Sequence, residues 1–231
     1  MKQENIYVEL SHIIEPGMIT YAGLPGPVIS DHLSREASKS HYAQGTEFYI
    51  GKIEMVANTG TYVDSPFHRY PDGVDIGQLP LSSLANLEGI MIHADTSKGR
   101  GISANVFHNL PLKGKAVLIQ TGWDTHWRTD HYFEGHPFLT SAAVDFLIAA
   151  EISLVGIDSL NIDDTSDLSR PAHSRFLASG IPIVEHLQNL QALPQSGFRF
   201  FAVPPPIRTL GSFSVRAFAI VDEPQRHGAA S

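Results

Sequence analysis

The segment at residues 58–68 gathers side chains that could do chemistry within eleven positions. Gly60 would let the backbone approach another group closely, and Pro66 would fix a turn. Asp64 and His68 lie four positions apart and could converge on one point. A carboxylate and an imidazole in that relation suit either metal binding or proton transfer. The same pattern also fits an aspartate that caps a turn beside a solvated histidine.

Cysteine is absent from all 231 residues, which excludes disulfides, thiolate metal ligands and a cysteine nucleophile. Any metal would therefore be held by nitrogen and oxygen atoms. The chain has 12 histidines, but most histidines lie on surfaces or make structural hydrogen bonds. Their spacing must identify those that act.

The composition is that of an ordinary globular protein, with 42% hydrophobic and 17% charged residues. The 16 Lys and Arg residues are scattered, and 24 Asp and Glu residues bring the net charge to −8, which disfavours nucleic-acid binding. There is no apolar run of about 18 residues, and the polar first nine residues include two acids. We therefore expect no membrane span, no signal peptide and a cytoplasmic location.

The elements that must position these residues are predicted to form one α/β domain over 1–231, because no repeat, linker or low-complexity tract interrupts the chain. Dense turn signals in the first third predict short strands there rather than long helices. A helix at 141–151, capped by Thr140, lies between two buried strands and suggests a βαβ unit. Pro171 and Gly180 bracket a second helix, 173–179, and 181–185 is an extended segment that ends in Glu185. Strands are predicted at 6–10, 48–56, 89–94, 116–120, 154–157, 198–203 and 214–221, in a mostly antiparallel or mixed sheet.

The segment 58–68 resembles the signature of the cyclase family, which includes bacterial kynurenine formamidases and isatin hydrolase. The family pattern is His-x-Gly-Thr-His-x-Asp-x-Pro-x-His, and it is matched here by Gly60, Thr61, Asp64, Pro66 and His68. Further matches follow the family order at 10–12, 121–124, 136–137, 156–158, His173 with Glu185, and 214–216. The resemblance implies a swivelling β/β/α fold and one or two divalent metals, commonly zinc or manganese.

Carried over by position, the resemblance implies that Asp64, His173 and Glu185 are metal ligands and that His68 transfers protons. This His and carboxylate set could hold one divalent ion, zinc or manganese, with an open position for water.

Two signature histidines are replaced, by Asn58 and Tyr62. Asparagine offers only a neutral carbonyl oxygen, and a tyrosine hydroxyl with a pKa near 10 is a poor ligand. The competing hypothesis is that this branch has lost its metal, with Asn58 and Tyr62 filling the vacated volume and hydrogen-bonding to Asp64.

The leading functional hypothesis is hydrolysis of a C–N or C–O bond in a small amide, lactam or ester, as in an arylformamidase or isatin hydrolase. Without metal, the chain could be a cyclase, dehydratase or isomerase. It could also be a non-catalytic protein that binds a small molecule. The joint presence of Asp64, His68, His173 and Glu185 favours an enzyme.

The resemblance also implies a homodimer or homotetramer, and the aromatic, histidine-rich stretch 123–138 would be costly to expose as one patch.

Other polar side chains receive lesser roles. Within the stretch 123–138, His126 and His131 are expected to be structural, and only His136 has a counterpart in the family pattern. Asp163 and Asp164 are expected to form turns and helix caps. Asp158 is expected to support the site from behind its ligands.

Overall fold

The computed structural model describes residues 5–221. Residues 1–4 and 222–231, which the predicted domain includes, lie outside the described residues. The helices are α1 (Arg35–Ser38), α2 (Ser141–Ala149) and α3 (Pro171–Ala178). The strands are β1 (Ile6–Glu9), β2 (Val28–Leu33), β3 (Ile50–Glu54), β4 (Tyr62–Asp64), β5 (Leu87–His93), β6 (Gly101–Ile102), β7 (Ala116–Gln120), β8 (Phe138–Leu139), β9 (Leu154–Ile157), β10 (Ile183–Glu185), β11 (Ser196–Phe201), β12 (Ser212–Ser214) and β13 (Phe218–Val221).

Nine of these strands form one mixed sheet in the order β1-β13-β11-β5-β7-β9-β10-β4-β12. The four central strands β5, β7, β9 and β10 run parallel to one another, and the flanking pairs are antiparallel. The expected α/β class is therefore confirmed, with a mixed sheet. Strands β2 and β3 form a separate antiparallel pair.

Both faces of the central strands are buried, because alternate side chains enter two different apolar cores. On β7, Val117 and Ile119 pack on the side of α2 and α3, with Leu147 and Phe176. Leu118 of the same strand packs on the opposite side. Each such fully buried aliphatic side chain contributes roughly 1.5–3 kcal/mol to folding. These two cores hold the parallel strands in place, and β4 and β12 are added to the sheet beside β10.

The βαβ unit is confirmed: α2 connects the parallel strands β7 and β9, and the Thr140 hydroxyl accepts from the Ala143 N–H at its N-terminus. Helix α3 begins two residues earlier than predicted, with Pro171 in its first turn, where the missing N–H of proline costs nothing.

The predicted strand at 214–221 is wrong, because the chain there forms two strands at opposite ends of the sheet. Strand β12 pairs with β4 at one end, whereas β13 lies between β1 and β11 at the other. Hydrophobic alternation continues through the connecting residues, so the pattern alone does not reveal the change of partner.

The aromatic stretch 123–138 is not the exposed patch that was expected. Tyr132 is fully buried, and its hydroxyl contacts His186 Nδ1 at 2.8 Å. The indole of Trp123 donates to the Tyr132 carbonyl. Exposed apolar side chains lie instead on and beside β2 and β3, namely Val28, Ile29, Phe48, Tyr49, Ile50 and Ile53. Within 5–221, no helix has both the length and the apolar character that crossing a membrane requires.

Candidate active site

Strands β10, β4 and β12 bring the signature and the last third of the chain together. Tyr62 pairs with Glu185 on one side, and Asp64 pairs with Ser212 on the other. Residues two apart on a strand point to the same face, so Tyr62 and Asp64 project together. The strand register thus places side chains more than 100 residues apart in sequence on one polar surface.

His173 enters this surface from the first turn of α3. Its Nδ1 donates to the Asp163 carboxylate at 2.7 Å, and its own backbone N–H donates to the same oxygen at 3.0 Å. The other Asp163 oxygen accepts from the Ala172 N–H at 2.6 Å. Asp163 therefore caps α3 and also fixes the imidazole, leaving Nε2 to face the site.

His173 Nε2 lies between two further carboxylates. It is 3.5 Å from Asp64 Oδ2 and 3.6 Å from Glu185 Oε1. Asp64 Oδ2 is buried and has no hydrogen-bond partner among residues 5–221. A buried carboxylate oxygen without a donor is costly unless a cation or proton balances it.

His68 lies at the end of a 3₁₀ helix, Pro66–His68, beside the partner strand β12. The Ser212 hydroxyl donates its only proton to Asp64 Oδ1, and the same oxygen is 2.9 Å from His68 Nδ1. Nδ1 must then be the protonated nitrogen in this network, so Nε2 is free to accept a proton. Close backbone packing positions this histidine, since a Cβ on Gly211 would lie 2.5 Å from its backbone nitrogen.

Tyr62 is hydrogen-bonded to Glu185. The metal-loss hypothesis expected its hydrogen bond to go to Asp64 instead. Its hydroxyl donates to Glu185 Oε2 at 2.7 Å, and the Ile162 N–H donates to Oε1 at 2.7 Å. Both side chains are almost fully buried. Glu185 is thus held by two donors behind the Asp64 and His173 pair.

The carboxylates and His173 alter one another's proton affinity. Burial raises the pKa of Glu185 to about 7, and the nearby negative charge of Asp64 adds to this. Burial opposes ionisation of Asp64 too, but the proximity of His173 and His68 and the hydrogen bond from Ser212 outweigh it and lower the pKa of Asp64. Burial likewise disfavours the His173 imidazolium, yet the surrounding carboxylates raise its pKa well above the ordinary value. The site therefore concentrates negative charge that attracts a cation.

Three side chains have ligand atoms that are close enough together to hold a metal ion. Ligand atoms of Asp64, His68 and His173 all lie within 4.8 Å of one another. The predicted ligand set contained Glu185 in place of His68, and Glu185 Oε1 approaches His173 Nε2 from the other side. A carboxylate and imidazoles form a donor set suited to a divalent ion, and the orphaned Asp64 oxygen fits such an ion. The division of roles between His68 and Glu185 remains a prediction.

A cavity of about 620 Å³ opens onto these groups. His68, His173, Glu185, Asn58 and Tyr62 all line it, so the two residues that replace signature histidines face the same space as the predicted ligands. The volume is within the range of small-molecule sites.

The remaining candidate histidines are not among the residues that line the cavity. Rings of His126 and His131 contact each other and Trp123, and His136 Nε2 lies 3.0 Å from the Asp163 carbonyl oxygen.

Asp158, which was expected to support the site, instead accepts from the backbone N–H groups of Thr121 and Gly122. The supporting contact to His173 comes from Asp163, which the sequence interpretation treated as a turn or cap residue like Asp164. A carboxylate shortly before a helix that carries a candidate ligand is the signal that could have identified it.

Ser212 was missed altogether. It lies just before the predicted start of the last strand, and the small polar residues Ser212 and Ser214 alternate on one face opposite Asp64 and Tyr62.

Comparison with known proteins agrees with the signature at 58–68. The family model Cyclase, described as "Putative cyclase", matches residues 8–164. The chain belongs to the cyclase family. Among its relatives in this family, a kynurenine formamidase of Bacillus cereus is 25% identical over 212 residues, covering 91% of this chain and 95% of the relative. An uncharacterized protein of Methanocaldococcus jannaschii is 30% identical over 176 residues, covering 75% and 84% of the two chains.

The fold also matches solved structures of cyclase-family proteins. Isatin hydrolase A from Labrenzia aggregata, solved with benzyl benzoate, superposes with a TM-score of 0.81 at 20% identity, covering 95% of this chain and 94% of that one. The expected swivelling β/β/α architecture is thereby confirmed.

Proposed function

We propose that this cyclase-family chain is a metal-dependent hydrolase that cleaves a C–N or C–O bond in a small amide, lactam or ester. The names kynurenine formamidase and isatin hydrolase favour an amide or a cyclic amide as substrate. The observation that carries the proposal is the convergence of His173 Nε2 with Asp64 Oδ2, an oxygen that is buried without a donor among residues 5–221.

Asp64 and His173 would hold a divalent ion, with Glu185 or His68 as a further ligand. Zinc or manganese suits this mixture of carboxylate and imidazole groups. When bound, such an ion polarises a carbonyl group and makes water more acidic. Asp163 fixes the ring of His173 by accepting a hydrogen bond from Nδ1–H, so that Nε2 faces the site and would be the ligand nitrogen once it is deprotonated.

His68 is the group best placed to move a proton. Its Nδ1 is hydrogen-bonded to the Ser212 hydroxyl, which in turn donates a hydrogen bond to Asp64. These hydrogen bonds hold the imidazole with Nε2 free. The side chain is 38% exposed, so a substrate in the cavity can reach it. His68 would therefore accept a proton from the attacking water and return it to the leaving group.

The test is metal analysis of protein purified without chelator, followed by turnover assays on N-formyl anilines, isatin-like lactams and aryl lactones. We expect about one divalent ion per chain and hydrolysis that a chelator abolishes and added metal restores. Asp64→Ala should lose both metal and activity, whereas Asp130→Ala, at an exposed residue that begins a 3₁₀ helix, should lose neither. Turnover that persists without metal would instead support the metal-free alternative, and metal-independent ligand binding without turnover would support a binding protein.

The oligomeric state is a separate part of the proposal. A homodimer or homotetramer would cover the exposed apolar side chains of β2 and β3, including Ile29 and Phe48. Sedimentation at micromolar concentration should show at least a dimer, and Ile29→Asp with Phe48→Asp should shift it to monomer. A cytoplasmic location also stays a prediction, which cell fractionation would test.

A further inference from the structure

Two arginines line the cavity in addition to the ionisable groups described above. Arg69 and Arg170 both line it, together with His173 and Glu185. Neither guanidinium forms an ion pair with any acidic residue within 5–221. Arg69 contacts Ser174 Oγ at 3.5 Å and lies over the Tyr70 ring. These partners of Arg69 are neutral, so neither Arg69 nor Arg170 is paired directly with a carboxylate among the described residues.

Arg170 is held in an unusual position. The residue is half-buried, and its Nη1 is buried with no hydrogen-bond partner among the described residues. Its backbone is left-handed, with φ of 48°, a conformation that is strained for a non-glycine residue. A buried guanidinium nitrogen without a hydrogen-bond partner is destabilising for the fold. An anionic ligand in the cavity would offset that cost.

Apolar side chains flank the same opening. Leu24 is 37% exposed and Leu168 is 87% exposed, and both line the cavity. They give a ligand an apolar surface in the same cavity as the arginines and the histidines. The carboxylates of Glu185 and Asp64, both close to His173 Nε2, would repel a second negative charge, which favours a monoanion over a phosphate.

We propose that Arg170 and Arg69 form a subsite for the carboxylate of an aromatic or other apolar substrate. The subsite extends the proposed function, since it assigns the hydrolase a substrate with a carboxylate away from the bond that is cleaved. Guanidinium groups bind carboxylates with paired, charge-assisted hydrogen bonds. Binding of a carboxylate can be measured without turnover, so this subsite can fail or succeed independently of the hydrolase activity.

The experiment measures calorimetric binding of benzoate, with benzamide as the neutral probe of the same shape and phenyl phosphate as the dianionic probe. We expect the protein as purified to bind benzoate more tightly than the other two. Arg170→Gln and Arg69→Gln should each weaken benzoate binding by about 10- to 100-fold, the loss typical of a hydrogen bond to a charged group. Neither substitution should affect benzamide.

Arg175→Gln is the matched control, because Arg175 lies on the same helix, is exposed, and pairs with Asp145 outside the cavity. It should leave benzoate binding unchanged. The melting temperature separates binding from a structural role: Arg170→Gln removes an unpaired cation, so we expect it to melt no lower than the unaltered protein.

Three results would overturn the proposal. One is that Arg170→Gln and Arg69→Gln leave benzoate binding intact. This includes the case in which benzoate binding is lost only when metal is removed. Another is a benzoate loss in Arg175→Gln equal to that in the cavity variants. The third is tighter binding of phenyl phosphate than of benzoate. If Arg170→Gln fails to fold, Arg170 is structural, and Arg69→Gln, at an exposed position, still decides whether the cavity binds a carboxylate.

Discussion

Asp163→Asn tests whether one buried carboxylate controls the imidazole of His173. The two Asp163 oxygens accept three hydrogen bonds, from Ala172 N at 2.6 Å, His173 N at 3.0 Å and His173 Nδ1 at 2.7 Å. Asparagine has nearly the same shape but only one acceptor oxygen, and its amide nitrogen donates. The substitution therefore changes hydrogen bonding and charge with little change in volume.

The expected magnitude follows from the two orientations of the amide. With its oxygen toward His173, both bonds to that residue survive and the Ala172 N–H faces another donor. The reverse orientation loses both bonds to His173, so the first is preferred. One buried N–H is then unsatisfied, which should lower the free energy of unfolding by about 1–3 kcal/mol. Loss of the negative charge behind the imidazole should weaken metal binding by about 10- to 100-fold.

Denaturant unfolding measures the change in the free energy of unfolding, and titration of metal-free protein with Zn²⁺ measures the change in metal affinity. Asp164→Asn is the matched control, because Asp164 follows directly in sequence but its carboxylate hydrogen-bonds, within residues 5–221, only to Ser166 and Arg100. Its surface ion pair is worth about 0–1 kcal/mol, and zinc affinity should not change. Equal zinc affinities in the two variants would refute the role assigned to Asp163.

Three further predictions concern other parts of the site and its support. His68→Ala should reduce turnover by about 10²- to 10⁴-fold while metal content is retained; metal loss as complete as in Asp64→Ala would make His68 a ligand instead. Gly211→Ala should destabilise the fold by about 1–3 kcal/mol and slow turnover, because its Cβ would meet the His68 backbone; an unchanged unfolding midpoint would contradict this. Burial lowers the pKa of His12 to about 4 in the folded protein, below its unfolded value near 6.5. The unfolded state therefore binds a proton more readily than the folded state, so the free energy of unfolding is highest above pH 6.5 and falls as pH falls toward 4, by about 2 kcal/mol between pH 7.5 and 5. Urea unfolding of His12→Gln should show a correspondingly smaller decrease over the same pH range.

The amino-acid sequence determined the family, most of the central elements and the residues of the signature. Strands β7 and β9 and helix α2 were predictable because their signals are local: continuous apolar runs, a Thr140 cap and helical spacing. Pro171 likewise indicated where α3 begins. The match at 58–68 pointed to Asp64 and His68 because their chemistry and spacing lie within one short segment.

The tertiary structure alone decided the partners of these residues. Ser212 lies more than 140 positions from Asp64 and His68, and only the pairing of β12 with β4 joins them. Tyr62 could have bonded to Asp64 or Glu185, and the register of β10 selects Glu185. The adjacent Asp163 and Asp164 have the same chemistry in sequence, yet the position of α3 buries one against His173 and leaves the other at the surface. Periodicity and composition report local preference and burial, whereas these contacts depend on which distant strands become neighbours in the sheet.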